Sequence, residues 1–387
     1  MFDVKADIAA ITDKMIGWRR DFHRHPELGL KEFRTSGIIE QHLLGLGLEV
    51  RRCAGTGVIG VLKGGKPGKT VMLRSDIDAL PVTEETGLPF TSENPGVMHA
   101  CGHDGHISMQ MAAAEILAAR KDELAGTVVF LFQLNEEDAG AERMIADGAL
   151  DNPKPDAIFG LHLWSPYRTG QIAVVPGPIM ASSYYFKLTV RGKGGHGGAP
   201  HTAINPITAA MHVVEAVKTF QTEELNLMKP TVISVGMFHA GVKEIIIPDT
   251  CELQGSIRCL HDGDAYIHTR LREIAEGVCA AYRCTCTLDI ICGNTMLDND
   301  DVLTAGVVKV AGEVVGRENI VMKDVAVMLG EDFAEFTHRV PGCYFFVGTT
   351  KLGAQMVEHH NCKFVIDEDS LPIGVEMLVK CTLDFLG

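Results

Sequence analysis

Four short, nearly unbroken apolar runs constrain the fold of this chain most: residues 58–62, 70–73, 127–134 and 157–163. Strands that face water on one side alternate polar and apolar residues, whereas strands buried on both faces read as continuous Val/Ile/Leu/Phe runs of four to eight residues. Between the second and third runs, residues 107–120 are rich in Ala, Met and Leu and predict a helix. Strands alternating with helices imply an α/β sheet covered on both faces, with functional residues at strand ends.

The texture changes elsewhere along the chain. The first 50 residues carry helical spacing, with Ile8, Ile11, Met15 and Ile16, then Ile38, Ile39, Leu43 and Leu44. Pro26 and Gly29 break it, so two helices and a turn are expected. From about residue 182 the strands alternate instead, at 185–191, 232–238, 251–258 and 286–291, interleaved with helices at 206–220 and 265–282. That order, β-α-β-β-α-β, is the split βαβ pattern of a small two-layer α+β domain. After Gly293 the α/β texture returns, with a helix at 302–315, strands near Val325 and at 344–347, and a closing helix at 371–385. A chain of 387 residues exceeds what one growing core supports. The expected organisation is one mixed-sheet α/β domain, 1–181 plus 294–387, carrying an inserted α+β domain, 182–293.

Several classes of function are excluded. A net charge of −15, with no arginine-rich helix to offset it, repels a phosphate backbone, so nucleic acid is not an expected partner. No run of about 18 apolar residues suggests a membrane span. The N-terminus lacks a basic region followed by an apolar stretch, and 11 cysteines without such a signal read as reduced thiols rather than a disulfide framework. A cytoplasmic protein is expected.

Chemistry concentrates in two places. Glu136-Glu137 ends the third apolar run, and His99-Ala100-Cys101-Gly102-His103-Asp104 supplies a thiol and imidazoles around a glycine turn. Adjacent carboxylates closing an apolar strand are costly unless a cation or proton relieves their repulsion. Cys101, His103, Glu137, His162 and His360 are all ordinary ligand types for Zn²⁺ and its neighbours. Taken singly, each also fits a plain reading: a buried inert thiol, hydrogen-bonded histidines, solvated loop carboxylates.

Taken in order, the motifs resemble the M20 metallopeptidase family, in particular its amidohydrolase branch of hippurate hydrolases, bacterial N-acyl amino acid amidohydrolases and plant auxin-conjugate hydrolases. The resemblance runs through Arg19-Arg20-Asp21-Phe22-His23-Arg24-His25-Pro26-Glu27-Leu28, Leu73-Arg74-Ser75-Asp76-Ile77-Asp78-Ala79-Leu80-Pro81 and Met98 to His106. It continues through Glu136-Glu137, Gly160-Leu161-His162, Gly192-Lys193-Gly194-Gly195-His196, Ile247-Pro248-Asp249, Gly255-Ser256-Ile257-Arg258, Gly330-Glu331-Asp332-Phe333 and His360.

The resemblance implies two divalent ions per subunit (Zn, Mn, Co or Ni), about 3.5–4 Å apart. Cys101 bridges them, Glu137 and His360 complete one site, and His103 and His162 the other. Glu136 is then the general base toward a metal-bound water, and Asp78 orients a ligand or the base from behind. His196 stabilises the tetrahedral oxyanion and Arg258 binds the substrate's carboxylate. The larger domain is catalytic, and the inserted one serves as lid and homodimer interface. The implied reaction is hydrolysis of an N-acyl amino acid, with a dipeptide or carboxypeptidase substrate as the alternative. Four departures stand out. Ile245 replaces a usual Asn before Ile246-Ile247-Pro248, Leu134-Asn135 replaces Pro-Ala, Asp138-Ala139 replaces glycines, and Cys362 stands where proline is common.

Overall fold

The computed structural model describes residues 3–387. It divides into two compact units. One runs to Ile179 and resumes at Asp298–Val325 and Asp332–Gly387, and the other comprises Met180–Leu297 and Ala326–Glu331.

The first unit is built on an eight-stranded mixed sheet, in the order Glu49–Cys53, Gly57–Lys63, Ala125–Gln133, Lys66–Asp76, Ala157–Arg168, Gly342–Thr350, Ile172–Ala173 and Ile320–Val321. Four central strands are parallel, and the first two pairings are antiparallel. The apolar runs follow from this placement, because both faces are covered. Val71, Leu73, Val128, Phe130, Phe132, Phe159, Leu161, Phe345 and Val347 point with period two into one core. There they meet Phe22, Ile107, Met111, Val375 and Leu378 of the helices Val4–Arg24, His103–Ala119 and Ser370–Leu386. On the opposite face Tyr344 packs against Phe333, ring centroids 5.0 Å apart, at the short helix Phe333–Thr337.

The second residue of strand Ala125–Gln133 is Gly126, whose φ is +95°, and a Cβ there would lie 2.0 Å from the Lys69 carbonyl oxygen. Only glycine permits that approach. The strand then delivers Glu136 and Glu137, in a single 3₁₀ turn over Glu136–Asp138, beyond its C-terminal end.

The second unit is a four-stranded antiparallel sheet in the order Thr231–Ala240, Thr250–Cys259, Ser182–Arg191 and Thr285–Asn294. The helices Pro206–Glu223 and Asp264–Ala281 pack on its apolar face through Val213, Val217, Phe220, Ile267 and Leu271 against Phe186, Leu188, Ile233, Leu253 and Leu288. Here the alternating sequence pattern follows from one face being open.

Three local expectations need correction. The helix expected from residue 107 starts at His103, because Gly102 in the left-handed region (φ +95°) turns the chain straight into it. The strand expected near Val325 lies at Ile320–Val321, where it pairs in parallel with Ile172–Ala173, while Val325 is a buried loop residue. His162 stands inside strand Ala157–Arg168 rather than at a strand end. All 11 cysteines are free thiols, and among the described residues no helix is long and apolar enough to cross a membrane.

Candidate metal centre

Gly102 sets the geometry of the first two donors. Its left-handed turn places Cys101 just before the helix His103–Ala119 and His103 at the helix's first position, both buried. His103 Nδ1 lies 2.9 Å from the Asp78 carbonyl oxygen, so Nδ1 carries the proton and donates it. His103 Nε2 is buried without a hydrogen-bond partner and faces the carboxylates of Asp76 and Glu136 at 3.8 and 4.0 Å. His162 repeats the arrangement, with Nδ1 2.6 Å from the Leu163 carbonyl and Nε2 3.4 Å from Cys101 Sγ. An imidazole whose Nδ1–H is fixed by a carbonyl is oriented as metal-ligating histidines are.

On the other side of Cys101 stand Glu137 and His360. The Glu137 backbone N–H donates to Asp78 Oδ2 at 3.1 Å, and its Oε1 is buried without a hydrogen bond. That oxygen is 3.3 Å from His360 Nε2, an ion-pair distance. His360 is a non-glycine residue at φ +63°, held by a hydrogen bond from its N–H to the Ala100 carbonyl, 2.9 Å. Backbone strain of this kind persists only where surrounding contacts dictate it.

The donor atoms of Cys101, His103 and His162 thus lie within 4.8 Å of one another, as do those of Cys101, Glu137 and His360. Cys101 belongs to both triads. A third group, His103, Glu136 and Glu137, meets the same criterion, with Glu136 4.0 Å from His103 Nε2.

The electrostatics favour a cation. Burial opposes charge on His103, but Asp76, Asp78 and Glu137 outweigh it and raise its pKa to about 10. Burial, then Glu137 and Glu136, push the Cys101 thiol well above its usual value. Burial and the neighbouring histidines keep His162 neutral, its pKa lowered. Two orphaned buried polar atoms beside a cluster of carboxylates would cost several kcal/mol if nothing answered them. Divalent ions held by the two triads would answer His103 Nε2 in one, Glu137 Oε1 in the other and the shared thiol in both, and thiolate, imidazole and carboxylate suit Zn²⁺, Mn²⁺, Co²⁺ or Ni²⁺.

A fourth donor group, Asp76, His103 and His106, has a different explanation. His106 Nε2 accepts from the Leu163 N–H at 2.9 Å, which puts its proton on Nδ1, 2.6 Å from Asp76 Oδ1. His106 is fully hydrogen-bonded and fixes the backbone next to His162. Burial opposes charge on Asp76, yet His103, His106 and Arg74 hold its pKa well below the usual range. Arg74 also reaches Gln133 and Asp332, and Asp332 Oδ2 accepts from the Ala141 N–H at 2.8 Å. This gives Asp332 of the Gly330-Glu331-Asp332-Phe333 motif a role in seating the chain on either side of the Glu136 turn.

Asp76, His106 and Asp332 carried motif identity in the sequence but no assigned role. His359, tilted 30° over Trp164 at 4.8 Å and edge-on to His162 at 5.1 Å, had no signal at all. His196 and Arg258 belong to the second unit. His196 is exposed in a two-residue strand paired with Ile246–Ile247, and Arg258 lies 5.9 Å from the Tyr185 ring. At Ile245 it is the backbone carbonyl that accepts the Gly197 N–H, 2.8 Å, a contact indifferent to the side chain, which is exposed.

The profile of peptidase family M20/M25/M40 matches residues 72–384. The chain is 39% identical over 381 residues to thermostable carboxypeptidase 1 of Saccharolobus solfataricus, covering 96% of this chain and 95% of that protein. It is 34% identical over 377 residues to an N-acetyldiaminopimelate deacetylase of Listeria innocua, covering 96% and 99%. A Bacillus subtilis crystal structure described as a dinuclear metal-binding peptidase of the M20 family superposes with a TM-score of 0.86 at 31% identity, over 98% of this chain and 99% of that one. The chain therefore belongs to peptidase family M20/M25/M40, and it is a hydrolase of amide bonds.

Proposed function

We propose that the protein hydrolyses the amide bond of N-acyl amino acids, using two divalent cations held by Cys101, Glu137, His360, His103 and His162. The observation that carries this reading is the pair of donor triads sharing Cys101, with Glu136 beside them. When bound, the two ions polarise the scissile carbonyl and acidify water. Glu136 accepts the proton of the attacking water and returns it to the amine nitrogen as the C–N bond breaks. Asp78 holds both sides of the centre, its carbonyl on His103 and its carboxylate on the Glu137 N–H. His196 and Arg258 act on the oxyanion and on the substrate carboxylate, and their motifs support that assignment.

The deacetylase relative favours an acylated amine, and the carboxypeptidase relative favours a peptide as the second reading. The two classes differ in a free α-amino group next to the scissile bond. With Mn²⁺, Co²⁺ or Zn²⁺ added, N-acetyl and N-benzoyl amino acids are expected to show kcat/KM at least about tenfold above dipeptides, the factor that corresponds to roughly one net hydrogen bond. Dipeptides turned over faster would establish the second reading instead.

The same reading makes the enzyme a homodimer through the second unit. Strand Thr231–Ala240 is one of the sheet's two outer strands, with Val232, Met237 and Phe238 exposed, and Val242, Ile245 and Ile246 exposed just beyond it. Unpaired edges of this kind favour pairing with a second copy. Sedimentation velocity is expected to give a dimer, and a fully active monomer would rule this out.

A further inference from the structure

The chain enters the Glu136 turn through Asn135, a non-glycine residue in the left-handed region at φ +53°, ψ +43°. It leaves through Ala139, also left-handed at φ +58°. Two such residues around a three-residue turn are an unfavourable backbone, so something must hold it. Asn is tolerant of this region because its short amide can bond locally, and Asn135 Nδ2 donates to the Asp138 carbonyl at 3.0 Å. The Gly140 N–H closes the knuckle on the Asn135 carbonyl, 2.8 Å.

The backbone N–H of Asn135 is held from outside the turn. It donates to Glu32 Oε1 at 2.9 Å, and Glu32 Oε2 accepts from Thr56 Oγ1 at 2.6 Å. Glu32, Thr56 and Asn135 are all buried. A carboxylate sealed in this way costs more than a surface one unless both oxygens are answered. The fit extends to Gly29, where a Cβ would stand 1.9 Å from Asn135 Oδ1. The Asn135 side chain thus fills the space that Gly29 leaves open. Leu134-Asn135 is also where this chain departs from the family's usual Pro-Ala.

We infer that Glu32 and Asn135 form a clamp that aims Glu136 at the reacting water, making Glu32 a positioning residue for catalysis although it touches neither metal nor substrate. The inference rests on Glu136 being the general base. Burial is the main cause raising the Glu32 pKa, which makes a neutral amide a fair mimic. Glutamine keeps an oxygen for the Asn135 N–H and offers an N–H to the Thr56 hydroxyl, whereas leucine offers neither.

The test uses Glu32→Gln, Glu32→Leu, Asn135→Gly and Asn135→Ala in the full-length, metal-loaded protein. Kinetics are read together with bound metal and with hydrogen–deuterium exchange of residues 135–141. Glu32→Leu and Asn135→Ala are expected to lose about 100-fold in kcat, the scale of a 1 Å misplacement, with KM and metal content little changed and with faster exchange confined to that segment. Glu32→Gln restores kcat to near the parent value, and Asn135→Gly, free to adopt the left-handed turn, retains more than Asn135→Ala. A folded Glu32→Leu protein with parental kcat and exchange overturns the clamp, and so does a Glu32→Gln protein as impaired as the leucine variant. Should Glu32→Leu fail to fold, Asn135→Ala decides alone, and parental kcat there overturns it. If Glu136→Ala retains turnover, the base assignment is what fails, and the exchange measurement still judges the clamp.

Discussion

Glu136→Ala is expected to lower kcat roughly 10²- to 10⁴-fold, the span of a lost general acid–base, while the protein stays folded and keeps its metal. The reason lies in the division of labour within one turn. Glu137 has an orphaned oxygen facing the Cys101–His360 side and a backbone N–H held by Asp78. Glu136 lies beside His103 at 4.0 Å but belongs to neither triad that contains Cys101. Glu136 is half-buried in its 3₁₀ turn and fills no part of the apolar core, and its removal takes one negative charge out of a group that already includes Asp78 and Glu137. Thermal stability is therefore expected to move little. Glu137→Ala should behave differently, losing activity and metal together. Metal analysis beside single-turnover kinetics separates the two, and Glu136→Ala turnover within tenfold of the parent would remove Glu136 from the mechanism.

Chelation is expected to abolish turnover, with recovery on adding back divalent ion, and to lower thermal stability. An ion present at about a thousand times its dissociation constant stabilises the folded state by about 4 kcal/mol. The pH dependence has a definite sign. In the metal-free protein His103 titrates at about 10 and the Cys101 thiol above its usual value, so both carry protons at neutral pH. The ion must displace them, and its apparent affinity should rise with pH and fall in acid. Without metal the sign reverses. A histidine whose folded pKa is raised contributes stability that is complete below its unfolded value near 6.5 and disappears as pH climbs toward about 10. Calorimetry in buffers of different ionisation enthalpy counts the protons released, and binding with no proton release would show that His103 and Cys101 are not ligands.

Much of the architecture was legible because burial writes itself into the chain. A strand covered on both faces must be apolar at consecutive positions, as 128–132 are, and a strand open on one face alternates, as 185–191 does. Boundaries were less legible. Nothing in the 107–120 pattern shows that the helix begins at His103, because its first turn is recruited by Gly102 and polar contacts rather than by an apolar stripe. His162 could be read as a strand-end residue only because the sequence does not show where strand Gly342–Thr350 pairs alongside it. The short strand Ile320–Val321 has no periodicity of its own and exists because Ile172–Ala173 offers it an edge.

By itself, the amino-acid sequence determined the element types, the order of the two textures, and the presence of a thiol, imidazoles and paired carboxylates, since these follow from local pattern and residue chemistry. Tertiary structure alone decided which of them meet. Cys101 shares its surroundings with His162 and His360 across 61 and 259 residues of chain, and Glu32 reaches Asn135 across 103. Such encounters are set by how the sheet stacks its strands and by which buried polar atoms are left to be answered, and local sequence spacing carries no record of either.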